Sequence, residues 1–126
     1  MINFIEGASE KVIAVELSGG YQPEDEQALE KLFNEKISKG YKMVNLLVKI
    51  DKLEISKSSW KAMWDDGMYA MKHLRNCGKI AIVSDKKWEE FLVKLDNVFY
   101  QSEKTGRAEK YFDVSDIDVA MGWVNE

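Results

Sequence analysis

The stretch Lys79-Ile80-Ala81-Ile82-Val83-Ser84-Asp85-Lys86-Lys87-Trp88 decides the fold. A short apolar run ends in a Ser-Asp pair, and apolar residues recur with helical spacing from the tryptophan onward. An apolar run closed by residues that commonly cap helices predicts a buried strand leading into a helix. A strand buried on both faces needs a layer on each side, so the rest of the chain must supply helices.

The residues before this stretch predict a hairpin, a helix and a strand. Two short apolar-rich runs, 1–6 and 11–18, are separated by a glycine-containing connection, which favours an antiparallel hairpin. Pro23 followed by three acidic residues indicates the start of a helix, and Gly40 indicates its end. Residues 41–50 are apolar at their centre and predict the next strand.

Two more predicted helices flank the opening strand. Residues 60–74 and 88–99 each carry apolar side chains at helical spacing. Ala108–Asp113 predicts a final strand, and Ser115 with Asp118 resembles a capping box before a last helix. The predicted order is ββαβαβαβα. This order favours an α/β sandwich whose mixed, mostly parallel sheet begins with an N-terminal hairpin and has right-handed crossovers.

Length and composition indicate a single soluble domain. The 126 residues carry a net charge of −4 with interspersed lysines and acids, so we expect one domain over 1–126 and no nucleic-acid partner. Cys77 is the only cysteine, which is typical of a reducing compartment. No apolar run is long enough to span a bilayer, and the first residues lack signal-peptide features. We therefore predict a cytoplasmic protein.

Three motifs resemble the SpoIIAA-like family, relatives of the STAS domains of bacterial anti-sigma-factor antagonists. The first is the opening stretch, Lys79 to Asp85 followed by Lys87-Trp88. The second is Tyr111-Phe112-Asp113, leading through Asp118 and Ala120 to Trp123. The third is the acidic, tryptophan-containing segment 60–66. The resemblance covers nearly the whole chain and implies a four- or five-stranded mixed sheet.

The resemblance also implies a non-catalytic binding protein. Some STAS relatives are regulators controlled by phosphorylation of a serine, and Ser58 lies nearest that position. The Asp-Ser-Ser-Gly of the antagonists corresponds here to Lys57-Ser58-Ser59-Trp60. The SpoIIAA-like branch is also similar to SEC14-type lipid-binding domains, which implies an apolar ligand or membrane contact.

Aromatic and methionine side chains on the second and third predicted helices are the candidate ligand-binding residues. Methionine adapts to varied apolar partners, and ligand pockets are usually lined by apolar and aromatic groups. The candidates are Trp60, Met63, Trp64, Met68, Met71, Trp88, Phe91, Leu92 and Leu95. The alternative is that both apolar stripes are ordinary core covering the sheet.

Lys86, Lys87 and Trp88 are candidates for reversible membrane contact. Cations beside an indole suit the anionic headgroups of an inner membrane face. Lysines on a solvated surface explain the same pattern. A regulatory protein partner and a homodimer are further partners that the sequence leaves open.

Other sites are less favoured by the sequence. Serines and glycines follow several predicted strands, where they can bind an anion or simply cap helices. His73 is the only histidine and has no partner pattern for metal binding or nucleophilic catalysis. We therefore predict no catalytic residues, no cofactor and no metal.

Overall fold

Five strands form one sheet in the order β1-β2-β3-β4-β5. The computed structural model describes residues 2–19, 23–53, 77–85 and 108–126. The strands are β1 Ile2–Phe4, β2 Val12–Gly19, β3 Val44–Leu53, β4 Cys77–Ser84 and β5 Ala108–Asp113. β1 is antiparallel to β2, and every other neighbouring pair is parallel. The predicted mixed, mostly parallel sheet with an N-terminal hairpin is confirmed.

Two helices lie in the described part of the chain. They are α1, Pro23–Ser38, and α2, Ile117–Asn125, which follows a short 3-10 turn at Val114–Asp116. The second and third predicted helices, 60–74 and 88–99, lie outside the described residues. The predicted element order is therefore checked only for the strands and for these two helices.

Glycine at position 40 ends α1 as the sequence predicted. Gly40 has a φ of 101°, a left-handed conformation that glycine adopts without strain. The Gly40 N–H donates to the carbonyl of Ile37 at 3.0 Å, and the Tyr41 N–H donates to the carbonyl of Lys36 at 3.4 Å. These two bonds are the Schellman pattern, which satisfies carbonyls left free at a helix end. The next strand consequently starts at Val44 rather than at the predicted residue 41, and it continues to Leu53.

The sheet has α1 packed on one face, which we call the α1 face. Alternate residues of β2, β3 and β4 point to this side because side chains alternate along a strand. Phe33 of α1 is buried against them, with Leu29, Leu32 and Ile37 partly buried beside it. The buried strand residues of this face are Ile13, Val15, Leu17, Val44, Leu46, Val48, Ile50, Cys77, Ile80 and Ile82.

The opposite face is covered by α2, and we call it the α2 face. Ala120 and Val124 of α2 are fully buried. They pack with the strand residues Val12, Ala14, Leu47, Ala81 and Val83. Glu16 and Lys49, also on this face, form an ion pair of 3.2 Å between β2 and β3. This face of β2 is therefore mixed, whereas its α1 face is wholly apolar.

The pairing of β3 with β4 contains a bulge at one buried asparagine, Asn45. Val44 pairs with Cys77 and Leu46 with Ile80, so two residues of β4 lie opposite Asn45. Asn45 is 6% exposed. Its Nδ2 donates to the carbonyl of Val124 at 2.7 Å, and its Oδ1 accepts the N–H of Lys79 at 2.8 Å. The side chain thereby connects the sheet to the C-terminal end of α2.

The C-terminal end of α2 is also bonded to the N-terminal hairpin. The Asn125 Oδ1 accepts the N–H of Ser9 at 2.9 Å, and its Nδ2 donates to the carbonyl of Gly7 at 3.0 Å. Lys11 donates through Nζ to the carbonyl oxygen of Glu126. These contacts join the turn between β1 and β2 to the last helix.

The predicted capping box before the last helix is wrong. The acceptor is the Asp113 carboxylate and not the Ser115 side chain. Asp113 Oδ2 accepts hydrogen bonds from the backbone N–H of Ser115 at 3.0 Å and from the Ser115 hydroxyl at 2.5 Å. Asp116 occupies the N-cap of α2 without a side-chain capping bond. An aspartate readily accepts from the backbone two residues further on, and this local turn uses the serine that the capping box required.

Candidate functional site

The α1 face of β4 is fully buried from Ile80 to Ser84. β4 lies between β3 and β5, and Ile80, Ile82 and Ser84 alternate along this face. All three are 0% exposed. Two isoleucines followed by one hydroxyl form an apolar strip with a polar end at the carboxyl edge of the sheet.

The Ser84 hydroxyl has no hydrogen-bond partner among the described residues, and its Oγ is buried. The sequence predicted Ser84 as part of a capping pair for the third predicted helix, and that helix lies outside the described residues. Ser84 is the last residue of β4 and points into the core. Nearly all buried polar groups in proteins are paired, so an unpaired hydroxyl requires an explanation.

The surroundings of this hydroxyl are apolar on one side and acidic on the other. Asp113 of β5 is directly opposite Ser84 in the parallel register, and Tyr111 is opposite Ile82. The Asp113 side chain is half-buried and accepts two hydrogen bonds from Ser115. Asp85, which follows Ser84, is exposed.

A second cluster, around Trp123, lies on the α2 face. Lys79 and Lys110 each place Nζ over the indole ring, at 5.4 and 5.0 Å from its centroid. Lys79 also donates to the carbonyl of Trp123 and pairs with Glu126, both at 3.1 Å. Cations at the C-terminal end of a helix stabilise its free carbonyls. These contacts explain Trp123 and Lys79 as structural residues that hold α2.

Among the described residues, the side chain of Tyr41 has a displaced pKa. The hydroxyl of Tyr41 donates to the Glu10 carboxylate, and this hydrogen bond, followed by desolvation and the charge of Glu10, raises the pKa of Tyr41 above its ordinary value. Lys36 Nζ donates to the carbonyl of Glu10 at 2.5 Å. Both contacts join the end of α1 to the turn before β2, and they have no chemical role in a site.

The residues that the sequence proposed for function lie outside the described residues. This holds for the nine ligand-binding candidates, for the membrane-contact candidates and for Ser58. The ligand-binding candidates are Trp60, Met63, Trp64, Met68, Met71, Trp88, Phe91, Leu92 and Leu95. The membrane-contact candidates are Lys86, Lys87 and Trp88.

Other surfaces of the described chain are less suited to a ligand. A shallow depression on the outer side of α1 is lined by polar side chains such as Glu30, Lys31 and Asn34. No group of three or more potential metal ligands occurs within residues 2–19, 23–53, 77–85 and 108–126. Neither α1 nor α2 is both long and apolar enough to cross a bilayer.

The arrangement of strands and helices defines a class of protein. A mixed five-stranded sheet with helices on both faces and an antiparallel first strand is an α/β sandwich of the STAS type. The sequence model of the SpoIIAA-like family matches residues 12–125. The chain therefore belongs to the SpoIIAA-like family.

A solved structure supports the same fold. An uncharacterized protein of the DUF3478 family from Shewanella loihica, described as having a SpoIIAA-like fold, is similar with a TM-score of 0.61. The two are 21% identical, and the match covers 98% of this chain and 92% of the other. A search among curated proteins found no match.

Sequence reasoning missed two residues that the structure places in the core. Asn45 interrupts the apolar run of β3, and a polar amide within a buried strand is a signal that it must have partners. The sequence singled out Ser84 as a capping residue but did not indicate that its side chain is fully buried.

Proposed function

We propose that this chain is a non-catalytic binding module that holds an apolar, lipid-like ligand on the α1 face, between the second and third predicted helices. The observation that carries this proposal is the fully buried apolar strip of β4, Ile80 and Ile82. It ends at the Ser84 hydroxyl, which has no partner within residues 2–19, 23–53, 77–85 and 108–126. Ligand pockets typically combine an apolar lining with few polar groups.

The strand order supports the position of this pocket. Connections between adjacent parallel strands are right-handed in nearly all proteins. β2, β3, β4 and β5 are parallel and adjacent in sequence order, and α1, which connects β2 to β3, lies on the α1 face. The same handedness leads us to expect the connections 54–76 and 86–107 on this face. Their predicted helices would then flank β4 from its two sides.

The composition of the two predicted helices supports an apolar ligand. Trp60, Met63, Trp64, Met68 and Met71 lie in one, and Trp88, Phe91, Leu92 and Leu95 in the other. Methionine-rich surfaces repack around varied apolar partners. The competing explanation is that these side chains pack directly against each other as core, with no room for a ligand.

The experiment that separates the two explanations is lipid analysis of the purified protein. We expect organic extraction and mass spectrometry to find bound lipid, and we expect the delipidated protein to bind the neutral apolar dye Nile red. Replacing Trp64 by Ala should weaken dye binding. The matched control is Trp123→Ala, which removes an indole from the opposite face and should leave dye binding unchanged. Absence of both lipid and dye binding would refute the proposal.

Reversible membrane association is an extension of the same proposal. Lys86, Lys87 and Trp88 carry the charge and the indole that an anionic surface attracts. Sedimentation with anionic vesicles should be reduced by Lys86→Glu with Lys87→Glu and by added salt. Equal sedimentation of the charge-reversed variant would remove this extension and leave the ligand proposal intact.

The alternative is a protein-binding regulator of the antagonist type, which family membership favours. It requires phosphorylation of Ser58 by a partner kinase. Unchanged partner interactions in Ser58→Ala and in Ser58→Asp would count against it.

A further inference from the structure

The outer edge of β1 has no neighbouring strand within the described residues. β1 (Ile2–Phe4) is the first strand of the sheet, and β2 lies on one side of it only. An edge strand presents backbone N–H and C=O groups with which a further strand can pair. The sheet can therefore be extended at β1.

The register of the hairpin determines which backbone groups of β1 face outward. The Ile5 N–H donates to the Ala14 carbonyl at 2.9 Å, so these two residues form a hydrogen-bonded pair. Bonded and non-bonded pairs alternate along antiparallel strands. Asn3 is accordingly bonded to β2, whereas Ile2 and Phe4 belong to non-bonded pairs. The N–H and C=O groups of Ile2 and Phe4 thus point away from β2.

The side chains of β1 do not protect this edge. Phe4 is 67% exposed and shares the α1 face with Val15, its partner in register. Asn3 is exposed on the α2 face. Soluble proteins commonly protect edge strands with lysine, proline or an inward-pointing charge, and β1 contains none of these. An aromatic ring beside outward-facing backbone groups suits the addition of a strand from another chain.

We propose that β1 pairs with β1 of a second copy of this chain, antiparallel and about a two-fold axis, so that two sheets join into one. The axis passes between Asn3 and the second copy's Asn3. Ile2 of each copy is then opposite Phe4 of the other, and each such pair exchanges both of its N–H···O=C bonds. This inference does not depend on the proposed ligand.

A second copy fits this edge in length and in charge. Both strands have three residues, so each outward-facing group of one copy meets a group of the other. A longer foreign strand would extend beyond β1 and leave its own groups unpaired. β1 carries no charge, and Glu6, the nearest acid along the chain, lies on opposite sides of the axis in the two copies. Glu16 in the next strand is already paired with Lys49.

The same register also covers the exposed side chains. The Phe4 residues of the two copies lie on the same face as diagonal neighbours, about 7–8 Å apart, a separation that aromatic side chains can bridge. The two Asn3 amides lie opposite each other on the α2 face, where each can donate to the other. The contact is small, so we expect a weak dimer with a dissociation constant on the order of 100 µM.

Sedimentation equilibrium of the wild type and of Phe4 variants tests the contact. Phe4→Ala removes the ring and should weaken association by about three- to ten-fold. Phe4→Pro removes the ring and also the outward N–H, so it should weaken association by about a further three- to ten-fold. Proline suits this position because the N–H is not part of the hairpin ladder. The matched control is Val119→Ala in α2, where Val119 is 62% exposed, and it should leave association unchanged.

Disulfide cross-linking tests the register. Asn3→Cys places two thiols opposite each other in a non-bonded pair, where Cα atoms about 4.5 Å apart allow a disulfide. Under mild oxidation, Asn3→Cys should form a covalent dimer at least about ten-fold faster than Val119→Cys, because only the first pair is held in this geometry. Non-reducing electrophoresis measures both rates. Cys77 is buried and is common to the two variants.

Each outcome supports or refutes the pairing. A wild type that remains monomeric at about 1 mM, ten times the expected dissociation constant, would refute it and leave the edge to a strand of another protein. A dimer unaffected by Phe4→Ala would lie elsewhere on the molecule. Equal association of Phe4→Ala and Phe4→Pro would refute the backbone bonds, and equal cross-linking rates would refute the register. Thermal unfolding verifies that each variant is folded, and Asn3→Cys decides the proposal if Phe4→Pro is not.

Discussion

At the scale of single residues, Asn45 and Gly78 form a tightly fitted pair at the bulge. A Cβ atom added at Gly78 would lie 2.4 Å from the Asn45 Oδ1. That oxygen cannot move away easily, because the same amide group accepts from Lys79 and donates to Val124. We expect Gly78→Ala to destabilise the fold by about 1–3 kcal/mol through this overlap. Chemical denaturation measures the loss.

The matched control is a glycine with open space around it. Gly122 in α2 is exposed and has nothing within 4 Å of an added Cβ. Gly122→Ala should therefore stabilise the protein by up to about 1 kcal/mol, since alanine favours a helix. In an Asn45→Ala background the cost of Gly78→Ala should largely disappear, since the overlapping oxygen is gone. Additive effects of the two substitutions would contradict the proposed overlap.

Residues of this kind explain what the sequence could not predict. The alternation of β2 predicts which side chains share a face, because the period of a strand is two. The partners of Asn45 are 34 and 79 positions away along the chain, so no local pattern identifies them. Ser84 has the same difficulty, since a capping serine and a buried serine have the same neighbours in sequence.

At the scale of elements, α2 is the cover of one face of the sheet. Val124 is 0% exposed, whereas Val119 in the same helix is 62% exposed. Val124→Ala should cost about 1.5–3 kcal/mol, because it removes buried methyl groups and leaves a cavity. Val119→Ala should change stability by less than about 0.5 kcal/mol. Denaturation of the two variants compares the same substitution at positions that differ in burial.

Equal effects of these valine substitutions would show that α2 does not cover the sheet as described. Asn125→Ala offers a further check, because it removes bonds to Gly7 and Ser9 without changing the apolar contacts of α2.

Elements were predictable where local chemistry determined them. Pro23 and Gly40 mark the first helix by conformational preferences that need no tertiary contact. The start of β3 was predicted too early, because the N–H of Tyr41 is used to end α1. The capping box failed for a similar reason: Asp113 competes for Ser115.

At the scale of the whole molecule, the protection of backbone amides against hydrogen exchange should fall from the centre of the sheet toward β1. β3 and β4 have neighbours on both sides, whereas β1 is a three-residue edge strand with Phe4 67% exposed. Native-state hydrogen exchange should therefore be slower for amides of β3 and β4 than for those of β1, by at least about 100-fold. Comparable protection of β1 would indicate that a further element pairs with this edge.

The fold class follows from the order of elements, because strands alternating with helices leave few arrangements of a parallel sheet. The candidate site follows only in part. The sequence indicates which predicted helices carry the aromatic and methionine side chains, and these helices lie outside the described residues. The Ser84 hydroxyl gives the buried strip of β4 a direction that hydrophobic patterns cannot show.

The position of α2 has a consequence for the order in which the domain can form during synthesis. On the ribosome, α2 is the last of the described elements to emerge, yet it covers Val12, Ala14 and Leu47, which emerge much earlier. Until residues 117–125 are available, these strand residues lack the cover that α2 gives them. The bonds of Asn125 to Gly7 and Ser9 likewise can form only after the end of α2 has been synthesised.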